Sequence, residues 1–215
     1  MTNLTNDIIV GARQFIMNNK THRVWENLLN PDVLRPLLIA SSIYITGFEM
    51  LKDSIIDRTK DFFSFVHRFD RSGNIADGKY QTDVLSRNKS ILYASLDWLK
   101  DMKAIDEHDM EIFNRSKDVR NELSHNLHHR ISSEGLPKDF SQSFKDMVSL
   151  YRKIEVWWVV NFEIPTNPDL DGKEFNENGI MPGTVMFLQL MCEIALGTER
   201  KSKSYYRILK NNFGD

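Results

Sequence analysis

From residue 34 to residue 65 apolar side chains return every three or four positions without a break, which restricts the chain to folds built around a long buried helix. Leu37, Leu38, Ser41, Tyr44, Ile45, Phe48, Leu51, Lys52 and Ile55 mark the stripe expected to turn inward. Asn30-Pro31-Asp32 is a helix start signal, and Pro36 is tolerable in a first turn. The same period recurs before and after this run. Residues 6–18 place Ile8, Ile9, Ala12, Phe15 and Ile16 on one face. Residues 88–102 place Leu92, Leu96 and Leu99 inward, and Asp106-Glu-His-Asp109 opens a helix running through Ile112, Val119, Leu123 and Leu127 to a stop at 132–137. Residues 138–162 carry Phe144, Met147, Val148, Tyr151, Ile154, Trp157 and Trp158. The stretch 70–78 is rich in turn residues and reads as a loop.

No segment shows hairpin alternation, although 156–162 is β-branched and aromatic enough to be ambiguous. The expected fold is all-α, an antiparallel helical bundle over 1–163. A polar, Pro- and Asn-rich linker follows over 164–183, then a C-terminal helical extension over 184–215, with an apolar helix at 184–196 and a basic tail at 200–210.

The chain has 215 residues, enough for a substantial core, and a formal net charge of -2, so any polyanion site must be a local patch. The single Cys192 lies in an apolar run and reads as a small hydrophobe; one cysteine excludes an intramolecular disulfide framework and fits a reducing compartment. The first residues lack the basic and apolar regions of a signal peptide, and the apolar stretches 37–45 and 185–196 are too short to span a bilayer. A cytoplasmic protein without membrane contact is expected.

The chemistry concentrates in Arg120-Asn-Glu-Leu-Ser-His125. Asn121 and His125 stand at i and i+4 and share a helix face, while the long stem of Arg120 can swing its guanidinium toward them. Arginine offers a bidentate fork for phosphate oxygens, and histidine exchanges protons near neutral pH. Together they suffice for metal-independent RNA cleavage with the ribose 2′-OH as internal nucleophile. With 13 Arg and 6 His in the chain, such a spacing arises roughly once by chance, so the weight falls on Asn121 and on the helical setting.

Arg120-Asn121-x-x-x-His125 resembles the RX4-6H motif of the HEPN superfamily, where the residue after the arginine is polar. The resemblance covers the motif helix and, loosely, the helical organisation of 5–160; it does not extend past Pro165. It implies an all-α bundle with no cofactor, in many members an endoribonuclease of prokaryotic defence or toxin–antitoxin systems. It also implies a homodimer in which Arg120 and His125 of two protomers form one cleft, RNA as the substrate, and an antitoxin or other regulatory partner. Some HEPN domains lack nuclease activity, so a non-catalytic interaction or dimerisation module is the alternative.

Other readings of the same residues stay open beside it. The Arg120, Asn121 and His125 side chains can form a solvated face, with Arg120 paired locally to Asp118 or Glu122. Glu122-x-x-His125 and the pair His125 and His129 have metal-ligand spacing, but no second Glu-x-x-His exists and no third zinc ligand is nominated, so no metal is expected. His128, His129 and Arg130 add positive charge beside the cleft for a phosphate backbone. Glu49 and Lys52 can reach across to orient the arginine or histidine, or pair with each other at i, i+3. Trp157 and Trp158 cannot share a face, which puts one ring in the core and the other at an interface. Lys100, Lys103 and the basic run at 200–210 read first as solvated charge.

Overall fold

The computed structural model describes residues 19–68, 76–170, 173 and 175–213. Eight α-helices of two turns or more account for most of them, and no strand occurs among the described residues. They are α1 (Asn19–Leu29), α2 (Pro31–Arg68), α3 (Ala76–Asp83), α4 (Ile91–Asp101), α5 (Glu107–His129), α6 (Phe140–Trp158), α7 (Gly183–Leu196) and α8 (Glu199–Phe213). The protein is an all-α helical bundle. The helix expected over 6–18 lies outside the described residues, as does most of the loop expected at 70–78.

The long helix forms as its period requires. Asn30 caps it, its side-chain oxygen accepting from the Asp32 amide at 3.0 Å, with Pro31 at the first position where a missing N–H costs nothing. Pro36 falls inside the helix rather than in its first turn. Tyr44, Phe48, Leu51 and Ile55 are all but fully buried, whereas Leu38 is 37% exposed and does not join the inward stripe. By length and composition the stretch Pro31–Ser64 is apolar enough to cross a membrane, contrary to the expectation from its shorter runs. Its apolar face here is the spine of the bundle core.

Short connections make α4, α5 and α6 antiparallel neighbours. Lys100 pairs with Glu107 at the α4–α5 corner, and Lys153 with Asp109 while Arg115 pairs with Asp146 along α5 and α6. By contrast α2 and α6 run parallel, Tyr44 meeting Ser143 near their starts and Arg58 meeting Glu155 farther along. The core between them holds Leu96, Leu99, Phe113, Leu123, Met147, Leu150, Tyr151 and Ile154. Burying each such side chain contributes about 1.5–3 kcal/mol. At one end Phe62, Phe63, Trp98, Trp157, Trp158 and Phe162 form an aromatic cluster with centroids 4.8–6.4 Å apart. Trp158, Trp98 and Phe63 are buried, and Trp157, edge-on to Trp158, is half-buried.

One polar group is built into this core. The Tyr44 hydroxyl lies 2.6 Å from Ser143 Oγ and donates to the Ser116 carbonyl at 3.3 Å, tying α2, α5 and α6 at one point. Gly47 permits their close approach, since a Cβ there would stand 2.9 Å from Met147 Cε and 3.4 Å from Leu188 Cδ2. Leu188 and Val185 bring α7 into the same core. The basic tail is helical, and α8 packs on α7, where the Tyr205 hydroxyl donates to Glu193. Ala76-Asp77-Gly78, expected within a loop, starts α3; its anchors are Tyr80 against Phe63 at 5.7 Å and the buried Val84. Tertiary packing overrides the turn chemistry of Asp-Gly there.

Candidate functional site

Helix α5 starts from a capping box: Asp106 accepts from the Asp109 amide at 3.0 Å and the Asp109 carboxylate accepts from the Asp106 amide at 2.9 Å. Phe113, Ser116, Val119 and Leu123 fix its buried face, which places Arg120 at the edge of the α2 contact and Asn121 and His125 outward. Helical geometry lasts through His125. Asn126 then leaves it at φ -115° and ψ 16°, and the chain passes through a π-helical turn, Arg130–Glu134, against which α1 packs.

Arg120 is held from three sides. Its Nη2 donates to Glu49 Oε1 on α2, its Nη1 donates to Asn121 Oδ1 at 3.2 Å, and its guanidinium carbon stands 6.0 Å from the centroid of the Phe48 ring. Lys52 donates to the other oxygen of Glu49. Burial pushes the Glu49 carboxyl upward, but the hydrogen bonds from Lys52 and Arg120 outweigh it and hold the group below its ordinary value. Thus Glu49 serves both as the intrahelical partner of Lys52 and as the cross-bundle partner of Arg120. The local alternatives Asp118 and Glu122 do not take the arginine. Glu122 instead pairs with Arg130, which removes that arginine from the set of spare charges.

The guanidinium is not saturated. Its Nε is buried with no acceptor, and each Nη carries a second hydrogen beyond the bond described. His125, His128 and His129 are exposed. The His125 imidazole makes no hydrogen bond or ion pair with a described residue, so neither nitrogen is committed. The structure therefore brings Glu49, Lys52, Arg120 and Asn121 into one bonded cluster, with His125 one turn beyond Asn121 on the same face; no bond joins His125 to Arg120. Beside the helix an open depression of about 540 Å³ is lined by Glu122, Arg130, Leu136, Pro137, Lys138 and Asp139.

Phe48, under the guanidinium, was legible only as a core residue, because its neighbour across the bundle is set by helix crossing and not by sequence. Among the described residues, no group of three or more His, Cys, Asp and Glu side chains is placed to hold a metal ion. Cys192 is half-buried against Phe144, Val148 and Leu188, and burial pushes its thiol up, which leaves it a poor nucleophile. Comparison with protein-family models, with curated proteins and with solved structures finds no match to this chain.

Proposed function

We propose that the protein is a cytoplasmic, metal-independent endoribonuclease of HEPN type that acts as a homodimer. What carries the reading is the pairing of a clamped arginine with an uncommitted histidine. Glu49, Asn121 and Phe48 fix the Arg120 guanidinium while leaving it N–H groups to spend on a phosphodiester. His125, one turn beyond Asn121, has both nitrogens available for proton transfer.

In the reaction the ribose 2′-oxygen bonds to phosphorus and the P–O5′ bond breaks. One imidazole takes the 2′-proton and an imidazole from a second copy supplies a proton to the departing 5′-oxygen. Arg120 stabilises the charge that builds on the equatorial oxygens. Glu49 and Lys52 are positioning residues, acting through Arg120, and His128 and His129 add weak contacts to the backbone. The products are a 2′,3′-cyclic phosphate and a 5′-hydroxyl. An antitoxin or regulatory protein that masks the cluster fits a defence or toxin–antitoxin setting.

The engagement of Arg120 by Glu49 also favours a second reading, a non-catalytic interaction or dimerisation module in which that ion pair is purely structural. Incubating wild type, Arg120→Ala and His125→Ala with diverse RNAs in EDTA separates the two. Cleavage to cyclic-phosphate ends that depends on both residues is expected. Equal cleavage by all three proteins, or none, would leave the module. Sedimentation of wild type, with a dimer expected, tests the two-copy cleft.

A further inference from the structure

On the outer face of α6 a second pocket, of about 350 Å³, is lined by Lys103, Arg152, Trp157, Asn161, Glu177 and Asn178. It adjoins the start of α5, where Lys153 on its wall pairs with Asp106 and Asp109. Arg120 lies about 20 Å farther along that helix at 1.5 Å per residue. The pocket is thus separate from the cluster at Arg120.

Lys103 carries the first clue. It ends α4 in a Schellman arrangement, its amide donating to the Lys100 carbonyl at 3.0 Å and that of Ala104 to the Leu99 carbonyl at 2.9 Å. The position demands a left-handed backbone, and Lys103 has φ 59°, alone among the described non-glycine residues. Glycine would sit there without a steric penalty. Its side chain makes no hydrogen bond or ion pair with a described residue. The pocket rim thus carries a cation whose charge no described residue meets, at a position where glycine would serve the backbone better.

The other walls complete the picture. Arg152 spends Nη2 on the Asn178 carbonyl at 3.2 Å and the Ile180 carbonyl at 3.0 Å, pinning that turn over the pocket. Its Nε and Nη1 have no acceptor among the described residues. The Trp157 indole lines the same pocket and is made rigid by edge contacts with Trp98 at 6.3 Å and Trp158 at 4.8 Å. Asn161 donates to the Trp157 carbonyl at 2.9 Å, which leaves its Oδ1 free to accept. The Glu177 carboxylate, also on the lining, makes no hydrogen bond or ion pair with a described residue.

The geometry points to a nucleoside monophosphate as the ligand. Lys103 and Arg152 take the phosphate, the Trp157 indole takes the base, and Glu177 accepts from the ribose hydroxyls. Asn161 and Asn178 offer amide groups to the base edge. The volume lies near the lower end of ligand sites, about 300–1,000 Å³, which suits one nucleotide and not a dinucleotide.

Titrating the full chain with AMP and with UMP, and separately with adenosine and with inorganic phosphate, tests the assignment by calorimetry and by tryptophan fluorescence. At least one nucleotide should bind saturably, at least about tenfold more tightly than phosphate or nucleoside alone. Lys103→Gly should raise the melting temperature, because it relieves the backbone, yet weaken nucleotide binding at least about fivefold. Trp157→Phe, which keeps a ring in the aromatic cluster, should weaken binding as well. No saturable binding of either nucleotide at several millimolar, equal affinity for phosphate alone, or full binding by Lys103→Gly would each overturn the proposal.

Discussion

Two carboxylate–guanidinium clusters hang from neighbouring turns of α2, and they are built in opposite ways. At Glu155 every acceptor is used: Ser54 and Arg58 Nε donate to one oxygen, Arg58 Nη2 at 2.7 Å and Thr184 at 2.8 Å to the other. The residue is 1% exposed, and Arg58 also reaches Glu163. Burial lowers the hold of Arg58 on its proton, but the two carboxylates outweigh it and raise it above that of an ordinary arginine. At Glu49 and Arg120 both side chains are about 30% exposed, and among the described residues neither the buried Arg120 Nε nor the nearby His125 imidazole has a hydrogen-bond partner. A charge taken wholly out of water must be saturated, since otherwise its desolvation is not repaid. A part-exposed charge can keep donors unspent, because water can satisfy the outer Nη hydrogens, though not the buried Nε. The first cluster is a strut joining α2, α6 and α7; the second keeps Nη hydrogens unspent.

The largest expected effect tests the open cluster. His125→Ala should lower the rate of RNA cleavage by about 10²–10⁴-fold. Its melting temperature should match wild type, because the ring is exposed and unbonded. A variant that cleaves at the wild-type rate would erase the contrast between the two sites. Next comes Glu155→Ala, which takes the acceptor from buried Ser54 and leaves the part-exposed Arg58 with Glu163 alone; it should cost about 1–3 kcal/mol in urea unfolding. A loss below about 1 kcal/mol, the worth of an exposed pair, would show that this network is no strut.

Glu49→Gln should produce a smaller, pH-dependent change. The folded chain holds this carboxyl below its ordinary value, so as the pH falls the unfolded chain takes up the proton first. The stabilisation is full above the unfolded value of 4.5 and disappears as the pH drops through the folded one. The urea midpoints of wild type and Glu49→Gln should therefore differ at neutral pH and converge in acid. A gap that stays constant down to about pH 3 contradicts the assignment. Smallest of all is Gly47→Ala. The new methyl meets the flexible end of Met147, and the gain of up to about 1 kcal/mol in helix propensity offsets the displacement. A net change within about 1 kcal/mol is expected, and a larger loss would mean that Leu188 and Met147 cannot yield.

The core of α2 was legible because Tyr44, Phe48, Leu51 and Ile55 repeat at the helical period and nothing competes with that signal. In α5 the period marked Val119 and Leu123 but not Phe113 and Ser116, since the helix is mostly polar and its buried arc is narrow. Leu38 fits the stripe by spacing yet stays exposed. Glu155 carries no mark of burial at all: a glutamate enters a core only if Arg58, 97 positions away, is delivered to it.

The candidate site divides along the same line. Arg120, Asn121 and His125 are neighbours on one helix, so their relative placement follows from 3.6 residues per turn and could be read directly. Which carboxylate takes the guanidinium could not. Asp118 and Glu122 are closer in sequence than Glu49, and only the crossing of α2 over α5 decides among them. The pocket around Lys103 and Trp157 is another step removed, gathered from the end of α4, the outer face of α6 and the turn at 177–180. Sequence alone determined the helices and the order of groups along each, because those obey local periodicity. Tertiary structure decided which charges are saturated and which are left to act, because that depends on partners brought together only when the chain packs.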